Sequence, residues 1–165
     1  MRTLVFVLSI VLAVACGKGD KSGGGGGPTA SAPTKEVAID TLKAVNTALE
    51  AKDYNKAADM FGTPAGATKE QLAGQLGGLI EKQEISKAGI DVMASKGKFG
   101  KLAEVFPDKG ERWAKKFNVP LDECYALSFE NGEAAFHWTG NSFKLIRLDD
   151  IGKLADGGGT PPASP

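Results

Sequence analysis

The stretch Cys124–Leu148, CYALSFENGEAAFHWTGNSFKLIRL, decides how the rest of the chain is read. Apolar residues recur at every second position, the period of a strand with one buried face. Asn131-Gly132 sits in the middle of it. Both residue types accept positive φ, which a two-residue hairpin loop demands. A loop there sets Phe129 opposite Ala134, Leu127 opposite Phe136 and Tyr125 opposite Trp138, all on one side. A second two-residue loop at Gly140-Asn141 sets Trp138 opposite Phe143 and Phe136 opposite Leu145, on that same side. A slip of one residue would turn every one of these side chains over. The agreement therefore predicts a three-stranded antiparallel meander with one aromatic face. The opposite face carries Ala126, His137 and Lys144, and the histidine is expected to be solvated there. Exposed strands are expected at both edges.

Upstream of the meander the period changes to that of helices. Thr34 is placed to cap a helix whose apolar positions are Ala38, Leu42, Val45 and Leu49. Tyr54, Ala57, Ala58 and Phe61 line one face of a second, stopped by Gly62-Thr63-Pro64. Thr68 and Gln71 have capping-box spacing for a third, which carries Leu72, Leu76, Leu79 and Ile80. Gly74, Gly77 and Gly78 interrupt that helix. They mark either a close approach of another backbone or a break near Gly77-Gly78, since each costs about 1 kcal/mol in a helix interior. Two short amphipathic helices follow. One shows Phe99, Leu102, Ala103 and Phe106; the other starts at Asp108 and buries Trp113 and Phe117. The expected fold is α+β, with N-terminal helices packed on one face of a C-terminal three-stranded antiparallel meander. It forms a single domain over residues 34–154.

Composition narrows the function classes. The chain has 165 residues, with 20 basic and 20 acidic side chains and a formal net charge of zero. Nucleic acid is not an expected partner, because phosphate binding needs a basic excess or stripe. Two cysteines, Cys16 and Cys124, and the one histidine, His137, are too few for a zinc site or a disulfide scaffold. The stretch GKGDKS lacks the spacing of a phosphate-binding loop and follows no strand. No metal, cofactor or catalytic residue is expected.

The N-terminus carries the clearest motif. Met1-Arg2 precedes a charge-free apolar run from Thr3 to Ala15. The run is shorter than the roughly 20 residues that span a bilayer and suits the apolar core of a signal peptide. Leu12-Ala13-Val14-Ala15-Cys16 resembles the cleavage motif of bacterial lipoprotein precursors. Ala13 stands where that family prefers leucine. The resemblance implies a signal peptide over residues 1–15 and cleavage between Ala15 and Cys16. It also implies diacylglycerol on the Cys16 sulfur and an acyl chain on the new amine. Two or three chains anchor a protein stably, where one holds it only marginally. Gly17-Lys18 follows, without the acidic residue that retains many such proteins at the inner membrane, so the outer membrane is favoured, with the domain facing the periplasm. Residues 16–33 then read as the lipidated cysteine and a glycine- and proline-rich tether. Residues 155–165 read as a disordered tail.

Within the domain, helices followed by an antiparallel sheet loosely resemble NTF2-like and cystatin-like α+β proteins among small envelope lipoproteins. Ala48–Phe61, ALEAKDYNKAADMF, is similar to their opening helices, and Ser142–Asp150, SFKLIRLDD, to their closing strand. Three strands are fewer than the NTF2-like cone needs, and no counterpart of its internal acid or histidine is present, so the resemblance implies no catalytic residue.

Two readings follow. The first is a non-catalytic, lipid-anchored envelope module that binds a protein or another envelope component through an edge strand or the Gly74–Gly78 surface, with Lys144 and Gly78 as probes. The alternative is a small-molecule binder, less readily an enzyme, with a pocket between sheet and helices lined by Tyr125, Phe136 and Trp138. Against it, these aromatic residues with Phe129 and Phe143 also make an ordinary core. Cys124 reads as a semi-buried inert thiol. Asp149-Asp150 reads as a solvated turn in preference to a cation site.

Overall fold

A computed structural model describes residues 32–156. Cys16, the Leu12–Cys16 motif and most of the tether and tail lie outside the described residues. The helices are α1 (Lys35–Glu50), α2 (Tyr54–Asp59), α3 (Lys69–Leu76), α4 (Gly78–Glu81), α5 (Lys87–Lys96), α6 (Leu102–Val105) and α7 (Gly110–Phe117). The strands are β1 (Lys98–Lys101), β2 (Cys124–Phe129), β3 (Gly132–Trp138) and β4 (Phe143–Asp149). They form one antiparallel sheet in the order β1-β2-β3-β4.

The expected helix starts hold where their caps do. The Thr34 hydroxyl accepts from the Val37 amide. Thr68 and Gln71 close the reciprocal capping box. Ser86 caps α5, a helix absent from the sequence reading, by accepting from the Gly89 amide at 3.1 Å. The third helix does break, with Gly77 between α3 and α4. What approaches Gly77 is the Tyr54 ring and not another backbone.

The sheet departs from expectation in three ways. It has four strands, because Lys98–Lys101 pairs with Ser128–Tyr125 instead of opening a helix at Phe99. The first hairpin turns at Glu130-Asn131, with Glu130 at φ 51°. The pairs are therefore Phe129↔Gly132, Leu127↔Ala134 and Tyr125↔Phe136. This is a two-residue shift, which exchanges partners but keeps every side chain on its face. A Cβ on Gly132 would lie 2.6 Å from Leu154 Cδ1, so that glycine serves close packing inside the strand. The second hairpin turns at Gly140-Asn141 as expected, with Gly140 at φ 94° and Trp138↔Phe143 and Phe136↔Leu145 paired. Third, the register shifts beside Ala135/Phe136, leaving Ile146 as the extra residue, so that Arg147 pairs with Ala135 and Leu148 joins the larger core.

That other face is covered, contrary to the expectation that helices occupy one side only. The larger core joins Leu127, Ala134, Phe136, Phe143 and Leu145 to the apolar faces of α1, α2, α3 and α5. A smaller one, built from Cys124, Ala126, Ala135 and Ile146, receives Leu102 of α6 and Trp113 and Ala114 of α7. The small side chains on the sheet leave room for the Trp113 indole.

Candidate functional site

The aromatic residues singled out as a pocket are packed against one another. Phe136 is fully buried, its ring 5.3 Å from that of Phe143. Trp138 meets Phe143 edge-on at 4.8 Å. Tyr125 stacks on Phe99 at 5.6 Å, and its hydroxyl accepts from Lys101 Nζ at 2.7 Å. Such edge-to-face and offset pairs are favoured geometries for buried rings. Surface hollows lie elsewhere. One of about 450 Å³ is lined by Lys101, Ala103, Glu104, Leu121 and Asp122. Another of about 330 Å³ is lined by Lys43, Asn46, Thr47, Glu50, Lys87, Ile90 and Asp91.

The sheet register brings together a thiol, an imidazole and a carboxylate that the sequence keeps apart. Cys124 pairs with His137 across β2 and β3, and His137 Nε2 lies 3.1 Å from Glu123 Oε2. The imidazole is half-buried, not solvated as expected. A nucleophilic cysteine needs a thiolate stabilised by a neighbouring cation or base. Here the environment acts the other way. Cys124 is fully buried, and its thiol donates to the Pro120 carbonyl at 3.2 Å. Burial, with Glu123 and Asp122 adding to it against Lys101, pushes its pKa up to about 11. The thiol is held protonated through the physiological range.

The acidic turn at Asp149-Asp150 acquires a third carboxylate, Glu84, whose oxygen lies within 4.8 Å of one from each aspartate. These charges are met from within the protein. Arg147 pairs with Asp149, and Lys153 with Asp150. The Asp150 amide, at φ 53°, donates to Glu84 Oε2 at 3.0 Å. The Ile151 amide donates to the Glu84 carbonyl, also at 3.0 Å. The cluster clasps the closing segment onto the α4–α5 connection, a long-range role that the sequence reading did not see.

The edges of the sheet are unlike each other. At β4, the Leu145 amide donates to the Met60 carbonyl at 2.8 Å, and the Leu145 carbonyl accepts from the Gly62 amide at 2.9 Å. Lys144 Nζ donates to the Asp59 carbonyl alongside. The β4 edge, expected to be free, is thus closed at its centre by the Met60–Gly62 segment. Gly78 is open, the nearest atom to an added Cβ being Lys82 Cε at 3.8 Å. At β1, the main chain has β2 on one side and, among the described residues, no strand on the other.

Comparison with family models, with curated proteins and with solved structures gives no match.

Proposed function

We propose that the chain is a lipid-anchored bacterial envelope protein whose domain binds another envelope component without catalysing a reaction. The observation that carries this reading is Leu12-Ala13-Val14-Ala15-Cys16 at the end of an uncharged apolar run. In that place a cysteine is an attachment point for lipid. Two features of the domain support the non-catalytic half. Its aromatic face is spent on core packing. Burial holds the Cys124 sulfur protonated, against what nucleophilic chemistry needs.

The test is expression of the full chain and its Cys16→Ser variant in a bacterial host, with fractionation of the membranes and mass spectrometry of the N-terminal peptide. The expected result is a wild-type peptide that begins at Cys16 and carries lipid, in the outer-membrane fraction, with the variant lost from it. An unmodified Cys16, or a mature N-terminus elsewhere, overturns the anchor. Native extraction of the wild type then reads the second half: a stoichiometric protein partner is expected, and a bound small molecule alone would restore the pocket reading.

A further inference from the structure

The hydrogen-bonding direction of every strand follows from the second hairpin. The Thr139 amide donates to the Ser142 carbonyl at 2.9 Å, which makes that pair a bonded one. Alternation then points the Lys144 main chain toward β3 and the Leu145 main chain away from it. The bonds of Leu145 to Met60 and Gly62 agree. Carried through Lys144↔His137, Phe136↔Tyr125 and Ala126↔Gly100, the same alternation turns the Gly100 main chain inward and the Phe99 main chain outward. Phe99 on β1 is therefore the counterpart of Leu145 on β4. Outside the β1–β2 ladder, the Phe99 N–H and C=O have no main-chain hydrogen-bond partner among the described residues.

This open edge is flanked by cations. Lys98 is exposed, and Lys96 lies over the Phe129 ring with Nζ 5.5 Å from its centroid. Neither forms an ion pair among the described residues, so both charges are available to a partner. Lys101, at the far end of β1, donates to the Asp122 carbonyl and Tyr125 hydroxyl. Two acids also approach β1, Glu104 near Gly100 and Asp122 beside Lys101. We propose that the outer edge of β1, centred on Phe99, receives an extended acidic segment of a partner protein, which adds as a fifth strand and sets its carboxylates against Lys96 and Lys98. Edge pairing takes its affinity from main-chain bonds and its choice of partner from side chains. Charge excludes other occupants. A second copy of the chain would bring lysine-flanked edges together, the arrangement by which proteins blunt their edges. The segments outside the described residues do not complement the edge either: residues 16–31 carry Lys18 and Lys21 against Asp20, and residues 157–165 carry no charged side chain.

This inference rests on the binding-module reading above and supplies the chemistry of its partner. Two main-chain bonds make a weak contact, and confinement of both partners to one membrane raises their effective concentration. The test is made in solution, so it does not depend on the anchor. The full chain in detergent micelles is titrated with the capped peptide Glu-Val-Glu-Val-Glu-Val and with its lysine counterpart, while amide exchange is followed by NMR. The acidic peptide is expected to protect the Phe99 amide and leave the Leu145 amide unchanged. Reversing both lysines, Lys96→Glu with Lys98→Glu, is expected to weaken it by about tenfold and to admit the lysine peptide instead. Both side chains sit at the surface, and an unchanged melting temperature will show that the variant is folded. A Phe99 amide that exchanges as before at millimolar acidic peptide overturns the proposal. So does equal binding of the two peptides. Either failure leaves lipid on Cys16 and a co-purified partner as separate observations.

Discussion

The edges of this sheet start from the same physical problem and end differently. On each, alternate residues turn their main-chain donor and acceptor away from the sheet, Leu145 on β4 and Phe99 on β1 among them. At β4 the loop after α2 comes back to supply both partners. It can do so because Gly62 has no side chain: a Cβ there would lie 2.9 Å from Ile146 Cγ2 and 3.3 Å from the Phe117 ring. At β1 no segment returns among the described residues, and lysines stand beside the gap. A closed edge contributes to stability. An open one is a template for pairing, and its side chains decide with whom.

The largest expected effect removes what both edges share. Phe136 is fully buried on the central strand β3, so Phe136→Ala should cost about 3–5 kcal/mol. Urea unfolding checks it, and a loss under about 1 kcal/mol would mean that the aromatic face is a cavity after all. Cys124 comes next. Its folded pKa is raised, so the stability it gives is complete below the unfolded value of 9.0 and is lost as pH rises toward about 11. That loss should reach about 2–3 kcal/mol, and Cys124→Ala should flatten this part of the stability–pH curve. An identical alkaline slope in the variant would place the loss on other groups. Gly62→Val should then cost about 1–3 kcal/mol by forcing the loop off β4. Amide exchange at Leu145 should speed up with it, and an unchanged Leu145 would show that the loop does not close this edge. Smallest is Lys98→Glu, which should shift stability by no more than about 0.5 kcal/mol, because the residue is exposed and unpaired.

How much of this was legible depends on the range of the interactions. The second hairpin could be read to the residue, because a glycine at positive φ and the alternation on both sides of it are local facts. The first could be read to the face but not to the pairing. Gly132 looked like a turn residue, and the contact that claims it for the strand comes from Leu154, 22 positions away. β1 has a single apolar side chain in four residues, Lys-Phe-Gly-Lys, so it carries no period of its own; pairing with β2 makes it a strand. The covered second face did leave a trace. Cys124, Ala126 and Ala135 alternate as small apolar residues where a solvated face would be polar, and two-sided burial is the reading they support.

The sequence by itself determined the order of helices before sheet, the caps of α1 and α3, the inward face of the meander and the motif around Cys16. All of these rest on neighbours within a few positions, where propensity, capping and periodicity act. Only the tertiary structure decided that the sheet has four strands and that α6 and α7 cover its second face. It alone clasped Glu84 to Asp150, held the Cys124 thiol protonated, and closed the β4 edge while leaving β1 open. Each of those depends on which distant segment comes back to fill a space or satisfy a main-chain group, and no local pattern in the chain encodes that return.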